Sequence, residues 1–161
     1  MLTIRKSKER DRPAIWELIR SVISTGDTYV FEPDSDEEEM IRYWFTSDKH
    51  VYSAEWDGRL IGTFWIKPNQ PGFGSHVANA AYMVLPAMAG QGIGGKMAEF
   101  SIDEARRLGF TAMQFNFVVK SNEAAVHLWD KLGFEIIGEI PDAFRHPKLG
   151  LTNVYIMYRR L

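Results

Sequence analysis

The chain contains no cysteine. Disulfides, thiolate metal sites and cysteine nucleophiles are thereby excluded, and a reducing compartment is permitted. Long apolar runs are missing as well: no stretch approaches the roughly 18 residues that a membrane-spanning helix needs. The opening MLTIRKSKERDRP lacks an apolar core followed by a small-residue cleavage site, so no secretory signal is expected. Neither sign of charge dominates. Nineteen Lys and Arg stand against 21 Asp and Glu, a net charge of −2, which argues against a general nucleic-acid-binding surface. The four histidines (His50, His76, His127 and His146) show no metal-ligand spacing. There is no internal repeat and no low-complexity linker. What is present is an ordinary globular mix, 45% hydrophobic and 25% charged over 161 residues. That length is one domain, expected to span 1–161, and it can bury a core without staples.

Hydrophobic periodicity predicts the elements. Residues 2–6 read as a short strand. A helix follows, with Asp11 as N-cap and Ile15, Leu18, Ile19, Val22 and Ile23 along one face. Residues 25–34 are a loop. The acidic run from Asp34 to Glu39 opens a second helix over about 35–46, with Ser35 and Glu38 fitting a capping box. Strands at 50–56 and 59–66 flank Asp57-Gly58, a strong hairpin turn. After a loop at 69–75, a strand over 76–85 is closed by Pro86. A helix over about 92–108 stops at Gly109, and a strand covers 111–119. A helix over 122–132 ends at Gly133, a glycine suited to a left-handed cap. The last strands are 134–140 and 153–160, with a loop at 143–150 between them. The strand–helix–strand unit from 76 to 119 requires a parallel crossover, whereas the hairpin before it is antiparallel. The expected class is therefore mixed α/β rather than doubly wound.

The sharpest local signal is Gly90-Gln91-Gly92-Ile93-Gly94-Gly95-Lys96, between a strand and a helix. Glycines there let backbone N–H groups approach an anion at the positive end of the helix, which points to phosphate or pyrophosphate binding. Gly90, Gly92 and Gly95 fit the dinucleotide fingerprint, and Gly90, Gly95 and Lys96 fit a P-loop. Both fits are weak. Met97 stands where a P-loop needs Ser or Thr, and the strand 111–118 ends in Val118-Val119-Lys120 without the acid that a dinucleotide site requires.

A wider pattern covers more of the chain. YMVLP, then AGQGIGGKM, then a strand containing FNFVV, then SNEAAVHLWDKLGF resembles the GCN5-related N-acetyltransferase family over about residues 76–136, and the element order resembles it throughout. Thr28-Tyr29-Val30-Phe31-Glu32-Pro33 is similar to the substrate-side loop of the small-molecule branch that includes phosphinothricin acetyltransferases. The resemblance implies a mostly antiparallel sheet of about seven strands with one splayed parallel pair, flanked by about four helices. It also implies acetyl-CoA as co-substrate and no metal. The pantetheine arm would pair with the strand edge at Met83 and Val84. The pyrophosphate would rest on the amides of Gln91, Gly92, Ile93, Gly94 and Gly95. Asn122 matches the family's Asn near the pantetheine, and by type is equally a helix N-cap. Lys96, Lys120 and Lys131 would screen phosphates or be ordinary surface lysines.

Two positions depart from the family. Ala89 stands where Arg or Gln is usual, and Trp129 stands where a Tyr often protonates the departing thiolate. An indole N–H supplies no proton in a useful range, so Trp129 is expected to pack or to wall the cofactor site. The expected reaction is direct attack of a deprotonated amine on the thioester. Asn79 and Asn116, on the strands flanking the splay, are candidates to hold the acceptor. Glu32 is a candidate to bind a cationic amine or to act as a water-mediated base, and a strand amide near Met83 or Val84 is a candidate oxyanion donor. Arg145 is a further candidate, for an acceptor carboxylate. The expected enzyme is cytoplasmic and acts on a small amine or amino-acid-like acceptor. Three rivals stay open: a protein or peptide N-acetyltransferase, a non-catalytic acyl-CoA-binding module, and a nucleotide-binding protein. The aromatic content also leaves a homodimer face open.

Overall fold

The computed structural model describes residues 1–161. Its elements are β1 (Leu2–Lys6), α1 (Arg12–Ile23), α2 (Glu37–Trp44), β2 (His50–Trp56), β3 (Arg59–Pro68), β4 (Val77–Val84), α3 (Ile93–Arg107), β5 (Ala112–Val119), α4 (Glu123–Lys131), β6 (Glu135–His146) and β7 (Gly150–Arg160). The seven strands form one sheet in the order β1-β2-β3-β4-β5-β7-β6. Every neighbouring pair is antiparallel except β4–β5. No helix is long and apolar enough to cross a membrane.

Strand alternation sends side chains to two faces, and each face carries its own core. On one face α3 contributes Ile93, Met97, Ala98, Ile102 and Ala105, and α4 contributes Trp129, against Phe64, Ile66, Ala80 and Phe115. On the other, Ile15, Leu18, Ile19, Val22 and Ile23 of α1 and Met40 and Trp44 of α2 pack on Val51, Trp65 and Met83. The helical spacing of the α1 residues is what brings all five to one side. Gly62 lets α3 lie close to the sheet: a Cβ there would sit 2.6 Å from the Met97 sulfur. Thr63 ties α2 to the sheet, its Oγ1 accepting from Trp44 Nε1 at 3.1 Å and donating to the Tyr52 carbonyl at 2.8 Å.

Asp11 holds the N-cap position of α1, as expected, but its side chain makes no capping bond: it ends a short 3-10 turn (Glu9–Asp11), and its carboxylate turns back to the Lys8 N–H and the Arg5 guanidinium. Two local expectations are corrected. Ser35 does not cap α2. Its hydroxyl donates to the Glu32 carbonyl, and Asp36 takes the cap, accepting from Glu39 N–H at 2.8 Å. A carboxylate at that end also suits the helix dipole. The segment 143–150 is not a long loop, because β6 and β7 run on as a hairpin to His146 and Gly150. The apolar alternation is broken by bulges at Ile136/Gly138 and Ile140/Phe144, the second containing Pro141 and the positive-φ Asp142. A bulge shifts the inward–outward phase, so strand continues where the pattern stops.

Candidate active site

β4 and β5 pair only at Val77–Ala112 and Ala78–Met113. Beyond that they diverge: β4 follows β3, while β5 bulges at Asn116 and Phe117 as it follows β7. The gap opens into a cleft of about 500 Å³ that passes from one face of the sheet to the other. Tyr82, Phe115 and Trp129 wall the α3–α4 side, with the Trp129 ring centroid 5.0 Å from that of Tyr82 and 4.4 Å from that of Phe115. Phe31, Tyr43, Trp44 and Trp65 wall the α1–α2 side.

Hydrogen-bond alternation identifies the main-chain groups that face the gap. Leu85 N–H donates to Ile61 O, and Asn69 N–H donates to Val77 O. Odd-numbered residues of β4 therefore bond to β3, and even-numbered ones point toward β5. Ala80, Tyr82 and Val84 consequently present backbone groups to the splay, where β5 does not reach them. Two of these groups are already engaged. Ala80 N–H donates to Asn79 Oδ1 at 2.8 Å, and the Tyr82 carbonyl accepts from the Tyr29 hydroxyl. Those of Val84 and the Tyr82 N–H are left to pair with a ligand. Met83 lies at the same edge, but its main chain turns to Thr63 on β3 and its side chain is buried against α1.

The glycine cluster forms the entry to α3. Gly90 and Gly92 both have φ of 76°, a conformation that only glycine adopts without strain. Gly92 is the N-cap and supplies no capping side chain. The first helical bond runs from Lys96 N–H to Gly92 O. The amides of Ile93, Gly94 and Gly95 therefore have no partner within the helix. The side chain of Ile93 is buried, so it presents only its amide, and Gln91 is exposed on the loop. This bare N-terminus beside the splay suits a phosphate ligand.

The remaining candidates divide. Asn79 and Asn116 both line the cleft. Asn79 keeps its Nδ2 donor available, while Asn116 accepts from Gln114 at 2.9 Å and donates to Asn69 at 2.6 Å. Asn122 lines the cleft and also caps α4, accepting from Ala125 N–H at 3.4 Å. Trp129 is buried in the wall. Glu32 is exposed and lies outside the lining, and Arg145 is exposed on β6 opposite Leu151. Lys120 pairs with Glu139 at 2.6 Å.

Two tyrosines that sequence reasoning did not single out shape the site. Burial pushes both phenols well above their ordinary range. Tyr29 donates its proton to the Tyr82 carbonyl. Tyr82 directs its hydroxyl away from the splay to Ser101 Oγ at 2.6 Å, and Ser101 in turn donates to Ala98 O. Neither phenol serves as a proton donor to the cleft. No Asp, Glu, His, Lys or Arg lines the cleft, so it offers no charged side chain. No three His, Asp or Glu side chains cluster as metal ligands.

Comparison with known proteins matches this geometry. A family model described as the acetyltransferase (GNAT) family fits residues 16–134. An N-acetyltransferase of Schizosaccharomyces pombe, aca1, is 31% identical over 156 residues, covering 87% of this chain and 75% of that protein. The structure of a GCN5-related N-acetyltransferase from Kribbella flavida superposes with a TM-score of 0.93 at 40% identity, covering 99% of this chain and 98% of the other. A phosphinothricin acetyltransferase from Sinorhizobium meliloti, solved with acetyl-CoA, shares the fold with a TM-score of 0.86 at 21% identity over 99% of this chain and 88% of its own. The seven-stranded sheet with one splayed parallel pair, the glycine-entered helix and these likenesses agree: the chain belongs to the acetyltransferase (GNAT) family.

Proposed function

We propose that this chain, acting as one catalytic domain, transfers the acetyl group of acetyl-CoA to a primary or secondary amine of a small molecule. The observation that carries the reading is the free edge of β4 leading to the bare N-terminus of α3. An amide-bearing arm satisfies such an edge as an added strand would, and a pyrophosphate suits the amides from Gln91 to Gly95. Bound there, acetyl-CoA supplies a thioester carbonyl open to attack.

The chain's own groups then have defined tasks. Val84, at the end of the open edge, holds the arm. The Tyr82 and Val84 amides are the donors available to a developing oxyanion, in the part of β4 that also contains Met83. Asn79 and Asn116 orient the acceptor nitrogen, and Asn122 and Trp129 border the cofactor side. Because the cleft has no charged side chain, the amine attacks in its neutral form. The new C–N bond forms as the C–S bond breaks. The nitrogen's proton passes to water, and the thiolate leaves without a side-chain acid. A thiol pKa of roughly 8.5 makes that departure tolerable near neutral pH. Glu32, exposed and outside the lining, is assigned no direct contact with the acceptor.

A small acceptor is favoured over a peptide by the loop 28–31. Tyr29 ties it to β4, and Phe31 stacks edge-on to Tyr43 with ring centroids 4.9 Å apart, which roofs the acceptor end. The test is thermal unfolding with acetyl-CoA, CoA, Mg-ATP or NAD, followed by thiol release with amine and peptide panels. A ligand at a hundred times its Kd stabilises the folded chain by about 2.7 kcal/mol. Stabilisation by acetyl-CoA and CoA alone, with turnover on small amines, supports the reading. Stabilisation by ATP or NAD instead, or turnover confined to peptides, refutes it.

A further inference from the structure

Resting on that reading, we infer that the acceptor is an apolar monoamine with an aromatic-sized body and no second charge. It is neither a polyamine nor a free amino acid.

The acceptor end of the cleft lies on the α1–α2 face, between Phe31, Tyr43, Trp44 and Trp65, with Val30 and Phe117 at its rim. Phe31 and Tyr43, backed by the buried Trp44 and Trp65, give flat apolar walls suited to a ring or a branched alkyl group. Polar functions are few. Asn79 offers one amide donor, the buried Trp65 indole N–H has no partner, Asn116 is bonded to Gln114 and Asn69, the Tyr29 hydroxyl is engaged with Tyr82, and the Trp44 indole N–H with Thr63.

The charge distribution is the stronger argument. A second ammonium, as in a polyamine, would need a carboxylate in the cleft, and there is none. A carboxylate on the acceptor would need Arg or Lys in the cleft, and there is none. An unpaired charge in an apolar site costs several kcal/mol, so either group is selected against. Two lysines stand behind the wall. Lys49 lies 3.6 Å from the Tyr43 ring centroid and 4.7 Å from that of Trp65, and it donates to the Tyr43 carbonyl. Lys67 is 5.9 Å from the Trp65 ring centroid and pairs with Asp48 at 3.7 Å. The positive charge of Lys49 behind these rings opposes a second cation on their cleft side. The same surroundings act on Lys49 itself: burial, reinforced by Lys67, brings its ammonium down to about 8. The apolar lining of the cleft favours the neutral form of an acceptor amine in the same direction.

The experiment compares three primary amines of graded charge: 2-phenylethylamine, phenylalanine and spermidine. Thiol release gives kcat/KM with acetyl-CoA. Quenching of tryptophan fluorescence in the presence of CoA gives binding independently of turnover. The expected result is kcat/KM at least 100-fold higher, and clearly tighter binding, for 2-phenylethylamine. The rim variant Val30→Glu places a carboxylate at an exposed position that no core packing needs. It is expected to raise the relative rate on spermidine at least tenfold. Equal or tighter binding of phenylalanine or spermidine by the unaltered chain overturns the inference, with or without turnover. So does a Val30→Glu variant with the same preference. Failure of CoA and acetyl-CoA to stabilise the fold is a separate result, and it overturns the function beneath.

Discussion

Gly94 and Gly95 allow fold and ligand binding to be separated by one double substitution. They are the second and third residues of α3, and neither has a positive φ. A Cβ at Gly94 would lie 3.9 Å from Leu128 Cδ2, and one at Gly95 would lie 3.7 Å from Leu128 Cδ1, both ordinary contacts. Neither backbone conformation nor packing therefore calls for glycine here. Glycine within a helix costs roughly 0.5–1 kcal/mol relative to alanine. Gly94→Ala with Gly95→Ala should stabilise the unliganded chain by about 1–2 kcal/mol. For a domain of this size that is a rise in Tm of about 2–8 °C. With CoA that gain is largely cancelled. Two methyl groups at the mouth of the amide cradle hold the pyrophosphate off, and a tenfold loss of affinity is expected. At a CoA concentration of about a hundred times the original Kd, ligand stabilisation would fall from about 2.7 to about 1.4 kcal/mol. Differential scanning fluorimetry with and without CoA measures both effects on one sample. A lower Tm without ligand would show that the fold itself requires these glycines. A higher Tm with an undiminished CoA shift would show that the phosphates do not rest on this turn.

Four further outcomes are expected. Gly62→Ala forces a methyl group against the fully buried Met97 sulfur at 2.6 Å and should destabilise the chain by about 1–3 kcal/mol in urea unfolding. Lys49 is held down to about 8 in the folded chain against an unfolded value near 10.5, so its burial weighs on stability in full below pH 8. Stability should therefore gain a contribution as pH rises from about 8 to 10.5, and Lys49→Met should remove that gain in pH-dependent unfolding. Glu104 is held down to about 2, chiefly by the Arg107 guanidinium and also by the Tyr52 hydroxyl. It stabilises the fold above about pH 4.5, and the contribution is lost as pH falls toward 2, so Glu104→Gln should flatten acid unfolding over that window. Trp129→Phe should leave kcat for thiol release within about threefold, because the residue packs on Phe115 and Tyr82 rather than transferring a proton.

The element order was legible in the sequence because most helices and strands are strongly periodic and glycine, proline or Asp-Gly punctuates them. The last hairpin was not, since two bulges change the phase of β6 and Pro141 imitates a strand end. The start of α2 was misplaced by one residue, where adjacent Ser35 and Asp36 compete for the cap and their side-chain bonds decide between them. At the site, the glycine run and the two strand asparagines stood out because their residue types advertise backbone access and hydrogen bonding. Tyr29 and Tyr82 did not, because an alternating strand or an aromatic loop gives the same letters whether its hydroxyl enters a cleft or caps a carbonyl. The Tyr29–Tyr82 contact spans 53 positions and exists only once the sheet has splayed. Glu32 illustrates the converse. Its charge and position in an acceptor-side loop suggest a base, yet the loop is anchored by its aromatic members and leaves the carboxylate in solvent.

The same anchoring explains how a cleft without acids or bases can be catalytic. On the proposed reading, rate depends on backbone geometry and desolvation rather than on titrating side chains. β4 supplies its amides because β5 leaves it, and β5 leaves it where Tyr82, Phe115 and Trp129 pack into the widening gap. On the α1–α2 face the aromatic wall of Phe31, Tyr43, Trp44 and Trp65 dries the acceptor end. Dry surroundings penalise an ammonium and strengthen the pull of each strand amide on a developing oxyanion. In the proposed reaction the two aromatic walls thus favour the neutral nucleophile and stabilise the charge that its attack creates. A charged residue set into the wall to serve as a base would forfeit part of both effects. It would raise the local polarity and hold the acceptor as an ion pair, with the nitrogen lone pair unavailable for attack.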